Sequence, residues 1–239
     1  MPADIIYTGD FNSALAAKQA TKTIPIVFVT LGDAVQAGLV ASLSRPGENL
    51  TGVSGLGPEL SGKRLELLKE VVPGLARVAF LTDPGNVASA PTLRGTETAA
   101  QSLRVQLQVV KVTKPHELEE AFSTIKKSRA NALMVNHDPT LIGQRDRILN
   151  LVEKGRLPAI YVQNAWVPAG GLMSYAPNLP HLNRRAATYV DKILRGVKPA
   201  DLPVEQPTKF EFIINLKAAK QIGLTIPPNV LARADKVIK

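Results

Sequence analysis

The chain has 239 residues, of which 45% are hydrophobic, so it is long enough to bury one large core or two smaller ones. The lack of cysteine excludes disulfides, thiolate metal sites and cysteine nucleophiles, and it fits a reducing cytoplasm as well as a disulfide-free periplasm. The formal net charge of +9 is scattered, and its densest clusters, 126–129 and 184–185, have no interleaved aromatic residues, so we expect no nucleic-acid partner.

Strand and helix patterns alternate along the chain from its first residues. Apolar runs rich in β-branched residues predict strands at 4–8, 24–30, 77–82, 105–112, 130–136 and 158–163. Helical patterns occupy 13–21, 61–72, 115–128 and 182–196, the first of them following Asn12 as a predicted N-cap. This alternation is typical of βα units around a mostly parallel sheet, so the predicted fold class is α/β.

Three stretches interrupt the alternation. Residues 49–60 and 170–182 are rich in glycine and proline but contain short β-like pieces. Residues 198–224 hold a proline-rich connection and then a predicted strand, in which Phe210, Phe212 and Ile214 alternate with Glu211 and Ile213. Such stretches suit crossings between two lobes.

The loops after the predicted strands are polar, and ligands of open parallel sheets bind at this end of the strands. In the loop 8–13, the free N–H groups of a helix N-terminus favour an anion, and Ser13 adds a hydroxyl donor. The alternative is that Asn12 or Ser13 caps the helix. Asp33 and Asp138 each follow a strand, where they either accept a hydrogen bond from a ligand or cap a turn.

Aromatic residues in these regions have two interpretations each. Trp166 and Phe11 lie in strand-end loops, where they either stack on a ligand or pack in a core. Tyr175 lies at a predicted crossing, where packing is the simpler role. His137, beside Asp138, is the best candidate for a general base, but no catalytic motif accompanies it. The three histidines, His116, His137 and His181, show no metal-ligand spacing, so we expect no enzyme, no metal and no cofactor.

Several ordered motifs together resemble the substrate-binding proteins of ABC transporters, in the group that includes solute receptors of tryptophan and tyrosine importers. The resemblance covers nearly the whole chain. It rests on TIPIVFV, GLVASLSRPGENLTGVSGL, KRLELLKEVVP, PAIYVQNAWVPAGGLMSYAPN, KPADLPVEQPTKFEFIINLK and GLTIPPNVLARADKVI.

The resemblance implies a type I periplasmic-binding-protein fold, with two lobes joined by three crossings that close on a small molecule between them. One lobe would combine 1–53 with 176–208, and the other 54–175 with 209–239. Family members normally have about two further βα units before the strand at 4–8, so the first lobe is expected to be truncated at its N-terminus. An incomplete sheet exposes a strand edge, which leads us to expect self-association as a homo-oligomer.

The resemblance also implies a ligand site drawn from both lobes. Phe11, Asn12 and Ser13 stand where family members often have Thr-Pro-Ala or Ser-Pro-Ala, so Phe11 is a candidate for stacking on a flat ligand. The ligand-binding residues expected from the first lobe are Thr8, Phe11, Asn12, Ser13 and Asp33, and those from the second lobe are Asn86, Asn136, Asp138, Gln163 and Trp166.

The predicted function is capture of a small carboxylate-bearing molecule, with amino acids first, for a membrane-bound ABC permease. The family resemblance implies a periplasmic or otherwise extracytoplasmic location, although the sequence begins without a signal-peptide pattern, which fits a cytoplasmic protein if Met1 is the natural start. The alternative function is a cytoplasmic ligand-sensing module of a regulator, because the same fold serves both roles.

Overall fold

The computed structural model describes residues 3–239, and the chain divides into two compact units. Unit 1 comprises Met1–Pro58 and Pro177–Lys209, and unit 2 comprises Glu59–Ala176 and Phe210–Lys239. Met1 and Pro2, which the predicted first lobe includes, lie outside the described residues. In the predicted division, the chain passes from one lobe to the other after residues 53, 175 and 208. That these lobes act together in function stays a prediction.

Strands and α-helices alternate over most of the described residues, except that two pairs of strands follow each other without an α-helix between them and two pairs of α-helices are consecutive. The strands are β1 (Ile6–Thr8), β2 (Ile26–Thr30), β3 (Leu50–Ser54), β4 (Arg77–Thr82), β5 (Gln106–Lys111), β6 (Ala132–Val135), β7 (Ala159–Tyr161), β8 (Met173–Pro177), β9 (Phe210–Asn215) and β10 (Lys236–Ile238). The α-helices are α1 (Phe11–Ala20), α2 (Gly57–Val71), α3 (Ser89–Ser102), α4 (Leu118–Lys127), α5 (Pro139–Ile142), α6 (Arg145–Lys154), α7 (Leu179–Leu194), α8 (Leu216–Gln221) and α9 (Pro228–Leu231). Short 3-10 helices lie at Pro115–Glu117, Asn164–Trp166 and Pro199–Asp201.

Unit 1 contains a three-stranded parallel sheet in the order β1-β2-β3. Every residue of β2 and β3 is buried, which explains why β2 reads as a continuous rather than an alternating apolar run. Val27 and Val29 of β2 form a core cluster with Leu182, Ala186 and Tyr189 of α7. The helix predicted at 182–196 therefore packs one face on this sheet.

Unit 2 contains a seven-stranded sheet in the order β10-β9-β8-β7-β6-β4-β5. Successive residues of β4 point to opposite faces, so Phe80 joins a cluster with Leu65 and Leu68 of α2, whereas Leu81 joins a second cluster with Leu118 of α4. Two hydrophobic cores thus cover the two faces of one sheet. The mostly parallel α/β architecture predicted from the sequence is confirmed.

Some element predictions need correction. The N-cap of α1 is Asp10 rather than Asn12, because the Asp10 carboxylate accepts the backbone N–H of Ser13 at 3.0 Å. The expected alternation in β9 ends before Ile213, which is buried together with Ile214 because β9 lies between β8 and β10 inside the sheet. The prediction also missed α3, α5, α6, α8, α9 and β10.

Candidate functional site

Three strands of unit 2 end in polar residues at one edge of the sheet. Thr82 is the last residue of β4, Asn136 follows β6 directly, and Gln163 lies two residues beyond β7. These strands are neighbours and pair in parallel, so their carboxyl ends lie side by side. Open parallel sheets bind ligands at this edge, which makes it the candidate site of unit 2.

Asp138 organises the loops at this edge through both carboxylate oxygens. Its Oδ2 accepts from the Thr82 hydroxyl at 3.1 Å and from the backbone N–H of Asp83 at 2.8 Å. Its Oδ1 accepts from Nδ2 of Asn86 at 2.6 Å and from the Ser89 hydroxyl. These donors belong to the end of β4, the following loop and the first residue of α3, so one carboxylate holds the whole connection in place.

The Asp138 side chain is 0% exposed, and this burial raises the pKa of its carboxyl group. The four hydrogen bonds oppose that shift by stabilising the charged form. A carboxylate offers about four lone-pair positions, and all of them are used here. Asp138 therefore positions its neighbours and has no acceptor left for a ligand. Asp138 is the N-cap residue of α5, but its side chain makes no capping hydrogen bond to that helix.

The two asparagines at this edge differ in their remaining hydrogen-bonding capacity. Asn86 donates to the backbone oxygen of His137 at 3.2 Å and to Asp138, and its Oδ1 accepts from the N–H of Ala88 at 3.2 Å. Asn136 donates to the Thr82 hydroxyl at 3.3 Å, and no donor within residues 3–239 reaches its amide oxygen. Asn136 is thus the asparagine with an acceptor available to a ligand.

Gln163 and Trp166 flank the short 3-10 helix after β7. Gln163 is half-buried, and within the described part of the chain its side-chain amide has no hydrogen bond. Trp166 is only 2% exposed and stacks on Tyr161, with ring centroids 4.8 Å apart. It belongs to the hydrophobic cluster that includes Leu118 and Leu141, which favours the core-packing interpretation over ligand stacking.

In unit 1, the predicted anion site at the start of α1 already holds a carboxylate of the chain itself. Asp10 accepts from the Ser13 backbone N–H and, at 2.5 Å, from the Ser13 hydroxyl. The negative charge at this helix terminus opposes a second anion there. Asn12 and Ser13 are exposed, whereas Phe11 is buried. Loop 8–13 is therefore better suited to hold a neutral or cationic group than the carboxylate we expected.

Thr8 and Asp33 are the remaining predicted residues of unit 1. Thr8 ends β1 with a buried hydroxyl that has no partner among residues 3–239. Asp33 accepts the N–H groups of Val35 and Gln36, both at 2.9 Å, and its other oxygen accepts from the Gln36 side chain at 3.1 Å. The capping alternative therefore describes Asp33 well.

Arg64 of α2 was not predicted. It is 3% exposed, and its Nε donates to the backbone oxygen of Tyr175 at 2.8 Å. Burial lowers the pKa of its guanidinium group to about 9, because the charged form is desolvated. The sequence did carry a signal: Arg64 lies three and four residues before Leu67 and Leu68, on the same buried stripe of the helix, where a cation is unexpected.

No group of three or more histidine, aspartate or glutamate side chains within residues 3–239 lies close enough together to hold a metal ion. No helix in the same range combines the length and the apolar character needed to cross a membrane.

A family model described as "ABC transporter substrate binding protein" matches residues 2–238. A curated relative, the tyrosine-binding protein of Clostridioides difficile, is 27% identical over 222 residues, which are 92% of this chain and 63% of that protein. The chain thus spans less than two thirds of the length of this curated relative.

Three solved structures are similar to nearly the whole chain. A conserved domain protein from Vibrio cholerae is 28% identical with a TM-score of 0.92, over 99% of this chain and 79% of that one. An ABC domain in complex with L-Trp from Streptococcus pneumoniae is 26% identical with a TM-score of 0.91, over 99% and 81%. A ligand-free, open substrate binding protein with adhesive properties from Clostridium difficile is 26% identical with a TM-score of 0.69, over 99% and 78%.

A LacI family transcriptional regulator from Bifidobacterium animalis is 14% identical, with a TM-score of 0.55, over 87% of this chain and 94% of that one. At this level of identity, the similarity shows a shared fold alone.

Proposed function

The chain belongs to the ABC transporter substrate-binding protein family, and from this premise we propose that it captures a free amino acid for an ABC importer. Membership confirms the resemblance identified in the sequence, including the type I periplasmic-binding-protein-like fold. It also agrees with the expectation that the chain is not an enzyme, because members of this family bind substrates without converting them.

The polar strand ends of unit 2 carry this proposal. Asn136 offers an amide oxygen and Gln163 offers both an acceptor and donors, while the saturated Asp138 keeps the surrounding loops in position. A small ligand with an ammonium group and a carboxylate matches such a set of neutral acceptors and donors. The contribution of Thr8, Phe11, Asn12, Ser13 and Asp33 from the other unit stays part of the proposal.

Aromatic amino acids are the first candidates within this class. The similar proteins include one named for tyrosine and one crystallised with L-Trp. An amino acid also fits the expectation of a small carboxylate-bearing ligand that followed from the polar loops.

Ligand binding is tested by thermal unfolding and calorimetry with L-tyrosine, L-tryptophan, L-phenylalanine, L-leucine, L-valine and non-amino carboxylates. A ligand that binds only the folded chain raises the unfolding midpoint with concentration. We expect Asn136→Ala to weaken the binding of the preferred amino acid at least about fivefold to tenfold, because one hydrogen bond to the ligand is lost. Asn150→Ala, on the exposed surface of α6, is the matched control and leaves affinity unchanged. A panel without any midpoint shift contradicts the proposal.

The transport role forms the second part of the proposal. We expect the protein to act outside the cytoplasm and to deliver its ligand to an ABC permease, as the family description implies. Uptake of labelled L-tyrosine or L-tryptophan by the source organism, compared with a strain lacking this gene, tests the partnership. Cell fractionation tests the location. Unchanged uptake together with a cytoplasmic protein would favour the regulator alternative.

A further inference from the structure

We propose that Arg64 binds the carboxylate of the amino-acid ligand and that Asn136 accepts from its ammonium group. This inference rests on the proposed function and gives a role to a residue outside the ligand-binding set predicted from the sequence. It concerns unit 2 alone.

The first observation is the incomplete pairing of Arg64. A guanidinium group has five N–H donors, and within residues 3–239 only the Nε donor has an acceptor, the backbone oxygen of Tyr175 at 2.8 Å. None of the ion pairs among these residues includes Arg64. A cation that is 3% exposed therefore lacks a neutralising anion, although buried charges are normally paired.

The second observation is the place of Arg64 relative to the strand ends. The register pairs Leu81 with Val135, Val135 with Tyr161, and Tyr161 with Ser174. One residue further along each strand, the next row across the sheet is Thr82, Asn136, Val162 and Tyr175. The carbonyl that holds Arg64 thus belongs to the same row as Asn136.

The third observation is that this row faces α2. Two residues earlier in the same strands, the row Phe80, Met134, Ile160 and Met173 lies in the core cluster formed with α2. Side chains two residues apart share a face of a strand, so Asn136 leaves the sheet on the side covered by α2. Arg64 and Asn136 therefore lie at the same edge and on the same face of one sheet.

Their chemistry is complementary to an amino acid. The two terminal nitrogens of a guanidinium form a planar fork that matches the two oxygens of a carboxylate. The amide oxygen of Asn136 accepts from an ammonium group. A purely structural role for Arg64 would need only the bond to Tyr175, and it would leave the two terminal nitrogens of Arg64 without an acceptor among residues 3–239.

The test compares L-tyrosine with L-tyrosinamide, and L-tryptophan with L-tryptophanamide, because the amides keep the ammonium group and lose the carboxylate. We expect the wild-type chain to bind the acid at least tenfold more tightly than the amide. We expect Arg64→Gln to weaken binding of the acid by about 10- to 100-fold and to change binding of the amide little, as loss of a charge-assisted pair predicts. Arg94→Gln, on the exposed surface of α3, removes the same charge and should leave both affinities unchanged.

The outcomes separate the two proposals. If the wild-type chain binds neither acid, the proposed function fails and this inference fails with it. If the wild-type chain binds an acid but Arg64→Gln binds it equally well, only the assignment of Arg64 is overturned. If Arg64→Gln does not fold, a crystal structure of the wild-type chain with L-tyrosine or L-tryptophan decides the question. A carboxylate oxygen within hydrogen-bonding distance of the Arg64 guanidinium supports the assignment, and any other carboxylate position overturns it.

Discussion

Two buried charges in unit 2 differ in how they are compensated. Asp138 accepts hydrogen bonds from four donors, whereas Arg64 donates to a single backbone oxygen. Burial shifts their pKa values in opposite directions, upward for the carboxyl group and downward for the guanidinium, because both charged forms are desolvated. Asp138 is thus a completed part of the scaffold, and Arg64 is the group that an anion would complete.

We expect Asp138→Asn to destabilise the chain by about 2 kcal/mol, because the amide nitrogen of asparagine cannot accept the two hydrogen bonds that the replaced carboxylate oxygen accepts. Asp146→Asn is the matched control, since the Asp146 side chain is 85% exposed, and it should change stability by less than about 0.5 kcal/mol. Urea unfolding of both variants measures the difference. Equal stability of the two variants would show that the Asp138 network contributes little.

Sequence reasoning located the site residues of unit 2 better than it assigned their roles. The family resemblance implied Asn86, Asn136 and Asp138, and Asp138 was also a candidate because it follows a strand; the structure places all three at one edge. Which of them still has a free acceptor depends on donors that are distant in sequence, such as Thr82 and Ser89, so it could not be read from the residues alone. Arg64 was missed because an arginine within a helix is usually a solvated one.

Among the secondary-structure elements, β3 depends on glycine for a physical reason. Gly52 has a φ of +151°, and a Cβ at this position would lie 2.0 Å from the backbone oxygen of Phe28 in the neighbouring strand β2. The backbone conformation and the close approach both require a residue without a side chain, which is glycine. The glycine-rich stretch 49–60, predicted as a crossing, therefore contains a strand that tolerates no larger residue at this point.

We expect Gly52→Ala to lower the free energy of unfolding by at least about 3 kcal/mol, because backbone atoms of two paired strands must separate. Gly62→Ala in α2 provides the control, since its Cβ would meet the Ala99 side chain at an ordinary 3.7 Å. Alanine is also the better helix former, so this second change should be neutral or stabilising by up to about 1 kcal/mol. Thermal unfolding of the two variants measures both effects. A Gly52→Ala chain as stable as the wild type would contradict the close approach described here.

The elements that sequence reasoning missed show which signal was lacking. Both predicted ends of β4 are correct, because every residue after Arg77 is buried and the strand therefore appears in the sequence as a continuous apolar run. In α3 the buried positions are Ser89, Pro91, Thr92, Thr96 and Ala100, so the inward stripe is small and polar and no apolar period is visible. β10, three residues long and largely outside the core, offers no pattern at all.

Across the molecule, two carboxyl groups, Glu205 in unit 1 and Asp138 in unit 2, respond to acid in opposite ways. In unit 1, hydrogen bonds from Arg185, at 2.9 Å and 2.5 Å, lower the pKa of Glu205. The ionised Glu205 therefore stabilises the folded state fully at pH values above the pKa of an unfolded glutamate, and this stabilisation is lost as pH falls below it. In unit 2, the pKa of Asp138 is raised, so the folded state gains stability as pH falls from that raised value toward the unfolded value near 4. Lowering the pH to about 4 therefore stabilises the folded state through Asp138. Lowering it further removes the stabilisation that Glu205 provides.

We expect Glu205→Gln to cost about 1 kcal/mol or less at pH 7, because the carboxylate is 38% exposed and solvent screens its pairing with Arg185. The difference from the wild type should shrink as pH falls below about 4 and vanish once the wild-type Glu205 is protonated, since the glutamine then resembles the native state. Glu48→Gln, which removes an exposed partner of Lys22 in the same unit, should change stability by less than about 0.5 kcal/mol throughout. Urea unfolding at a series of pH values between 7 and 3 gives these curves. A Glu205→Gln difference that stays constant over the whole range would mean that the pair with Arg185 does not depend on the charge of Glu205.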